Sequence, residues 1–126
     1  MELTPPLGRI IKNATREQVR NAAVELNLGA GEFLILAAGD EYYIQAYLED
    51  SHDLHMEYRE GSARYHFQSV QPCSPAQMID LVLSYFDRNF RWRTMIEWKP
   101  EPELNPRAAE SVPSRGKHAR RGRHAK

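Results

Sequence analysis

Phe33-Leu34-Ile35-Leu36-Ala37-Ala38-Gly39-Asp40-Glu41-Tyr42-Tyr43-Ile44-Gln45-Ala46-Tyr47-Leu48 is the stretch whose reading decides the fold. Its first six residues are apolar without a break, as in a strand covered on both faces. Gly39, Asp40 and Glu41 then supply turn chemistry. From Tyr42 the pattern alternates: Ile44, Ala46 and Leu48 point one way, Tyr43, Gln45 and Tyr47 the other. Two strands joined by so short a turn must pair antiparallel, because parallel pairing needs a long crossover.

The pattern continues downstream. Asp50 to Asp53 reads as a polar turn, after which Leu54, Met56 and Tyr58 alternate with His55, Glu57 and Arg59. Glu60-Gly61-Ser62 turns the chain again, and Tyr65 and Phe67 alternate with Arg64, His66 and Gln68. Helices flank this meander. Thr15 and Gln18 form a capping box ahead of Val19, Ala22, Ala23 and Leu26, which recur on one helical face, and Gly29 and Gly31 end the helix. Ser74, Pro75 and Gln77 open a second helix with a wide stripe of Met78, Leu81, Val82, Tyr85 and Phe86, fading near Asn89. The expected fold is α+β: an antiparallel four-stranded meander flanked by an N-terminal and a C-terminal helix. Residues 1–9, with Pro5, Pro6 and Gly8, read as an extended arm, and 10–99 as one domain. Residues 100–126 read as a proline-rich boundary (Pro100, Pro102, Pro106) and a basic tail too poor in apolar residues to order itself. Phe90, Trp92, Met95, Ile96 and Trp98 are too apolar for a free loop and should dock on the body, with one tryptophan packed against the second helix. The strand face bearing Tyr43 and Tyr47 needs a cover, from that closing segment, a second subunit or a partner, so monomer and homodimer are both open.

Charge divides the chain of 126 residues. Residues 1–106 hold ten Lys and Arg against sixteen Asp and Glu, a balance of −6, whereas 107–126 hold seven against one, a balance of +6. The acidic share is concentrated in residues 32–60, with eight acids and one base, Arg59. Asp40, Glu41, Glu49, Asp50, Asp53, Glu57 and Glu60 would form a docking surface for a basic protein, with Tyr43 and Tyr47 as apolar anchors. A competing reading takes these acids as charge that keeps strand edges from pairing. The tail offers an alternative partner: Arg115, Lys117, Arg120, Arg121, Arg123 and Lys126 would hold nucleic acid weakly and without sequence preference. No aromatic residue interleaves them to stack bases.

Catalytic and metal chemistry have thin support. Asp50, His52, Asp53 and His55 are metal-ligand types, but they fall on a turn rather than at helical i, i+4 spacing, and no second cluster completes a site. Cys73 precedes a helix N-terminus, where amide dipoles can activate a thiol, yet no positioned base accompanies it. Phosphate-binding loops, dinucleotide turns, nucleophile elbows and C-x-x-C pairs are missing, so no cofactor and no enzyme activity are expected. The start lacks a signal-peptide pattern, no run approaches a membrane span, and a single cysteine suits a reducing compartment, so a cytoplasmic protein is expected.

Five segments in order carry a family resemblance: Ile11-Lys12-Asn13 with Thr15, Phe33-Leu34-Ile35-Leu36, Asp40-Glu41-Tyr42-Tyr43-Ile44-Gln45-Ala46, Glu57-Tyr58-Arg59-Glu60-Gly61, and Trp92 with Trp98 after the second helix. Over residues 10–99 the chain resembles bacterial immunity proteins of polymorphic-toxin systems and their small α+β relatives. The resemblance implies a protein that binds a cognate toxin, blocks its active site and has no catalysis of its own. The basic tail departs from that pattern.

Overall fold

A computed structural model describes residues 1–101. In chain order it contains β1 (Glu2–Thr4), α1 (Arg16–Asn27), β2 (Phe33–Gly39), β3 (Tyr42–Leu48), β4 (Leu54–Glu60), β5 (His66–Ser69), α2 (Pro75–Asp87), α3 (Trp92–Met95) and β6 (Trp98–Pro100). The strands form one antiparallel sheet in the order β1-β2-β3-β4-β5-β6. The fold is α+β with an antiparallel sheet, but the sheet has six strands and not four. The two additional strands are its edges. Each has three residues, too few for a period-two signal. Pro5 follows β1 and Pro100 ends β6, and proline is tolerated at an edge because no neighbour there needs its amide. Residues 1–9 therefore include a paired strand. Leu3 is fully buried, and its amide and carbonyl both bond to Ile11 at 2.8 Å.

Both capping boxes form as the sequence implies, Thr15 with Gln18 and Ser74 with Gln77. α1 and α2 pack on each other and on one face of the sheet. Their buried stripes, Val19, Ala22, Ala23 and Leu26 from α1 and Met78, Leu81 and Val82 from α2, meet Leu34, Leu36, Ile44, Ala46 and Met56. Burying each of the larger side chains contributes about 1.5–3 kcal/mol. The closing segment docks on the same core. Trp92 is 1 % exposed and touches Tyr85 of α2, while Trp98 is half-buried. Tyr58 sits between them, each indole ring 4.7 Å away edge to face, with Phe67 stacked alongside at 5.0 Å. The proline-rich boundary and basic tail lie, from residue 102 on, outside the described residues.

Candidate functional site

The sheet face turned away from the helices carries Tyr43, Gln45 and Tyr47 on β3, His55, Glu57 and Arg59 on β4, and His66 and Gln68 on β5. Register makes Tyr43, Arg59 and His66 one row across the three strands. His66 also lies diagonal to Glu57, within side-chain reach. A hydrogen-bonded chain results. Arg59 Nε donates to His66 Nδ1 at 3.1 Å, and Arg59 Nη1 donates to Glu41 Oε1 at 2.7 Å. Because an arginine Nε only donates, Nδ1 must accept, so the imidazole proton sits on Nε2 and is donated to Glu57 Oε1 at 3.1 Å. His66 and Glu57 are 6 % and 5 % exposed. With both ring nitrogens committed and the ring out of solvent, His66 has no nitrogen left for a substrate.

Tyr43 and Tyr47 are buried, so neither stands out as a ready anchor. Tyr43 packs edge-on against His66 with the Arg59 guanidinium 5.9 Å from its ring centre. Burial pushes its phenol up to about 12, with Arg59 pulling the other way and the Glu57 and Glu41 carboxylates adding to the rise. Tyr47 stacks on His55 at 5.6 Å.

The remaining sequence-predicted acids fall into two groups at opposite ends of β3, roughly 20 Å apart at about 3.4 Å per residue. At one end Asp40 and Glu41 are exposed on the β2–β3 turn and Glu60 closes β4. Arginines accompany these acids: Arg59 holds Glu41, and Arg93 holds Glu60. At the other end lie Glu49, Asp50 and Asp53 on the β3–β4 turn, with Glu32 just before β2. Residues 28–34 and 48–56 contain no Lys or Arg. This turn is tightly built: Glu49 N donates to Asp53 O at 2.9 Å, His52 N to Glu49 O at 2.7 Å, and Ser51 Oγ to Asp53 Oδ2 at 3.1 Å. Leu28, in the loop that leads to the same end, is 77 % exposed.

The other chemical candidates separate. Among the described residues no group of three or more His, Cys, Asp or Glu is placed to hold a metal ion; His55 leans towards Glu49 at 3.6 Å while His52 is exposed on the turn. Cys73 is buried, its amide donates to Leu54 O at 2.7 Å, and burial pushes the thiol up to about 11. The helix-dipole argument for activation is thus outweighed by desolvation. A recess of about 690 Å³ opens beside β1 and β2, lined by Met1, Lys12, Ile35, Asp40 and Tyr43 among others, without a convergent set of polar groups. No helix of the described residues is long and apolar enough to cross a membrane. The nucleic-acid candidates Arg115, Lys117, Arg120, Arg121, Arg123 and Lys126 lie outside the described residues.

Sequence reasoning missed the corner between α2 and α3. Ser84, 1 % exposed, donates to Asn89 Oδ1 and accepts from the Trp92 amide at 3.0 Å, while Asn89 Oδ1 also accepts from the Arg91 amide at 3.0 Å. That clasp holds Phe90 outside, its ring 52 % exposed, with the Arg93 guanidinium 4.5 Å from the ring centre. The available signal was three arginines around one phenylalanine in residues 88–93. Comparison with known proteins found no matching family model, no matching curated protein and no matching solved structure.

Proposed function

We propose that this chain is a non-enzymatic interaction protein that holds a basic partner protein at the β3–β4 end of its sheet. One observation carries the reading: Glu49, Asp50 and Asp53 gather at an end whose own segments contain no Lys or Arg. The acids at the opposite end differ, since Arg59 and Arg93 offset Glu41 and Glu60. A hydrogen-bonded turn holds the acids in place, which reduces the ordering cost of binding. Exposed Leu28 in the neighbouring loop supplies an apolar contact beside the charge. Tyr43, Tyr47 and Glu57 drop out of the docking set because they are buried. Two further points favour binding over catalysis: the committed nitrogens of His66 and the buried, proton-retaining thiol of Cys73. The specific form of the reading is an immunity-type role in bacteria, with a basic toxin as the partner.

The test is affinity capture from the source cells with the intact chain and with the triple variant Glu49→Lys, Asp50→Lys, Asp53→Lys. The reading expects one basic protein at equal stoichiometry, released by salt and lost from the variant. Equal capture by both chains refutes it. Capture of nucleic acid alone, abolished by deleting residues 107–126, would transfer the function to the tail.

A further inference from the structure

We infer that the α2–α3 corner around Phe90 is a second docking surface, for an acidic segment of a partner polypeptide. It differs in sign and place from the β3–β4 end, and the Glu60–Arg93 pair ties it to the opposite end of the sheet.

Arg88 and Phe90 have φ of 58° and 62°, the left-handed region that glycine favours and a bulky side chain resists. A chain tolerates such residues only where its surroundings over-determine them. Here the surroundings are the buried Ser84 hydroxyl and the Asn89 side chain, which together bond the amides of Arg91 and Trp92. An aromatic ring held this way usually fills a core. Phe90 does so only in part: its ring lies 6.5 Å from that of Trp92, which the core takes, and half its surface stays open. The clasp therefore leaves half of an aromatic side chain open to solvent at a conformational cost, and contact with Trp92 accounts for only the other half.

Charge selects the occupant. Arg88, Arg91 and Arg93 are all exposed within three residues of Phe90 in the chain, and the Arg93 guanidinium is 4.5 Å from its ring centre. The neighbouring carboxylates are already engaged, Asp87 with Arg16 at 3.0 Å and Glu60 with Arg93. Arg88 and Arg91 have no ion-pair partner among the described residues. An exposed aromatic flanked by unneutralised guanidinium groups fits carboxylates set around one apolar side chain. With Arg93 over the ring and Trp92 beside it, the exposed remainder of Phe90 suits a single apolar contact. A nucleic-acid strand would want successive aromatic platforms, and this corner offers one.

The test uses the intact chain and three fluorescent probes, read by anisotropy at moderate salt: a nonapeptide with a central tryptophan between acidic residues, the same peptide with serines for the acids, and an oligothymidylate. The variants are Phe90→Gly, which suits the backbone at that position, and the pair Arg88→Glu with Arg91→Glu. The acidic peptide is expected to bind at least tenfold tighter than the serine peptide. Phe90→Gly is expected to weaken it at least fivefold while the far-UV circular dichroism stays that of the wild-type chain, because glycine suits the left-handed φ. The arginine reversals are expected to abolish binding. Equal affinity for the two peptides overturns the inference, as does unchanged binding in Phe90→Gly. Tighter binding of oligothymidylate through the same arginines overturns it in favour of a nucleic-acid contact. None of these outcomes bears on the β3–β4 acids, so this inference and the proposed function fail independently.

Discussion

Replacing Cys73 with alanine should flatten the alkaline loss of stability of this protein. Cys73 is 7 % exposed, and burial raises its thiol from 9.0 to about 11. The folded state therefore holds this proton more tightly than the unfolded state. The resulting stabilisation is present in full below about pH 9 and is lost as pH rises through the folded value near 11. At about 1.36 kcal/mol per pK unit, the loss reaches roughly 1.4 kcal/mol by pH 10 and roughly 2.3 kcal/mol by pH 11. Tyr43, Tyr58 and Tyr85, each raised from 10.0 by burial, join the decline as pH nears 10, so the difference between the wild-type and Cys73→Ala chains isolates the cysteine. Urea unfolding followed by tryptophan fluorescence, at half-unit steps across that window, measures the slope. The wild-type chain should lose stability from pH 8 upward, while Cys73→Ala should be lower at pH 8 and fall less steeply, the gap between the two curves closing towards pH 10. A companion measurement is thiol modification at pH 8, expected to be slow in the native chain and fast in urea. Parallel curves for the two chains, or a native thiol that reacts at the unfolded rate, would refute the reasoning.

Two further substitutions probe the parts that sequence did not disclose. Ser84→Ala leaves the buried Trp92 amide without its acceptor, so about 1–3 kcal/mol of stability should go, seen as a fall of several degrees in melting temperature. A Cβ at Gly31 would come within 2.8 Å of the Pro6 carbonyl carbon, and backbone cannot yield there as a flexible side chain would. Gly31→Ala should therefore displace the N-terminal segment, measured as faster hydrogen exchange at the Leu3 amide, while the β3–β4 amides stay protected.

The four inner strands were legible because β2 is an unbroken apolar run, β3, β4 and β5 display alternation, and each pair is separated by turn chemistry. The capping boxes were legible because Thr15 with Gln18 and Ser74 with Gln77 satisfy the same amides in any helix that starts there. The edge strands were not. Leu3 gives one apolar residue, and its pairing depends on Ile11 and Leu36, eight and thirty-three positions away. The candidate site divides in the same manner. Alternation put Tyr43, Tyr47 and Glu57 on the second face correctly. Whether that face is buried depends on the Arg59–His66 register, which brings His66 to both Arg59 and Glu57. Counting acids along the chain merged two groups that β3 holds apart, and only the sheet reveals that Arg59 pairs with Glu41 and Arg93 with Glu60. The Phe90 corner depends on a serine hydroxyl from the preceding helix, and no local pattern announces such a contact.

The central claim is that the acids of the β3–β4 turn are a docking site. Hydrogen exchange on the isolated complex with its captured partner tests this most directly, amide by amide against the free chain. The account predicts slowed exchange across residues 48–53 and in the loop carrying Leu28 and Glu32. Unchanged exchange at residues 48–53, with protection confined to the helices or to any other segment, would contradict it.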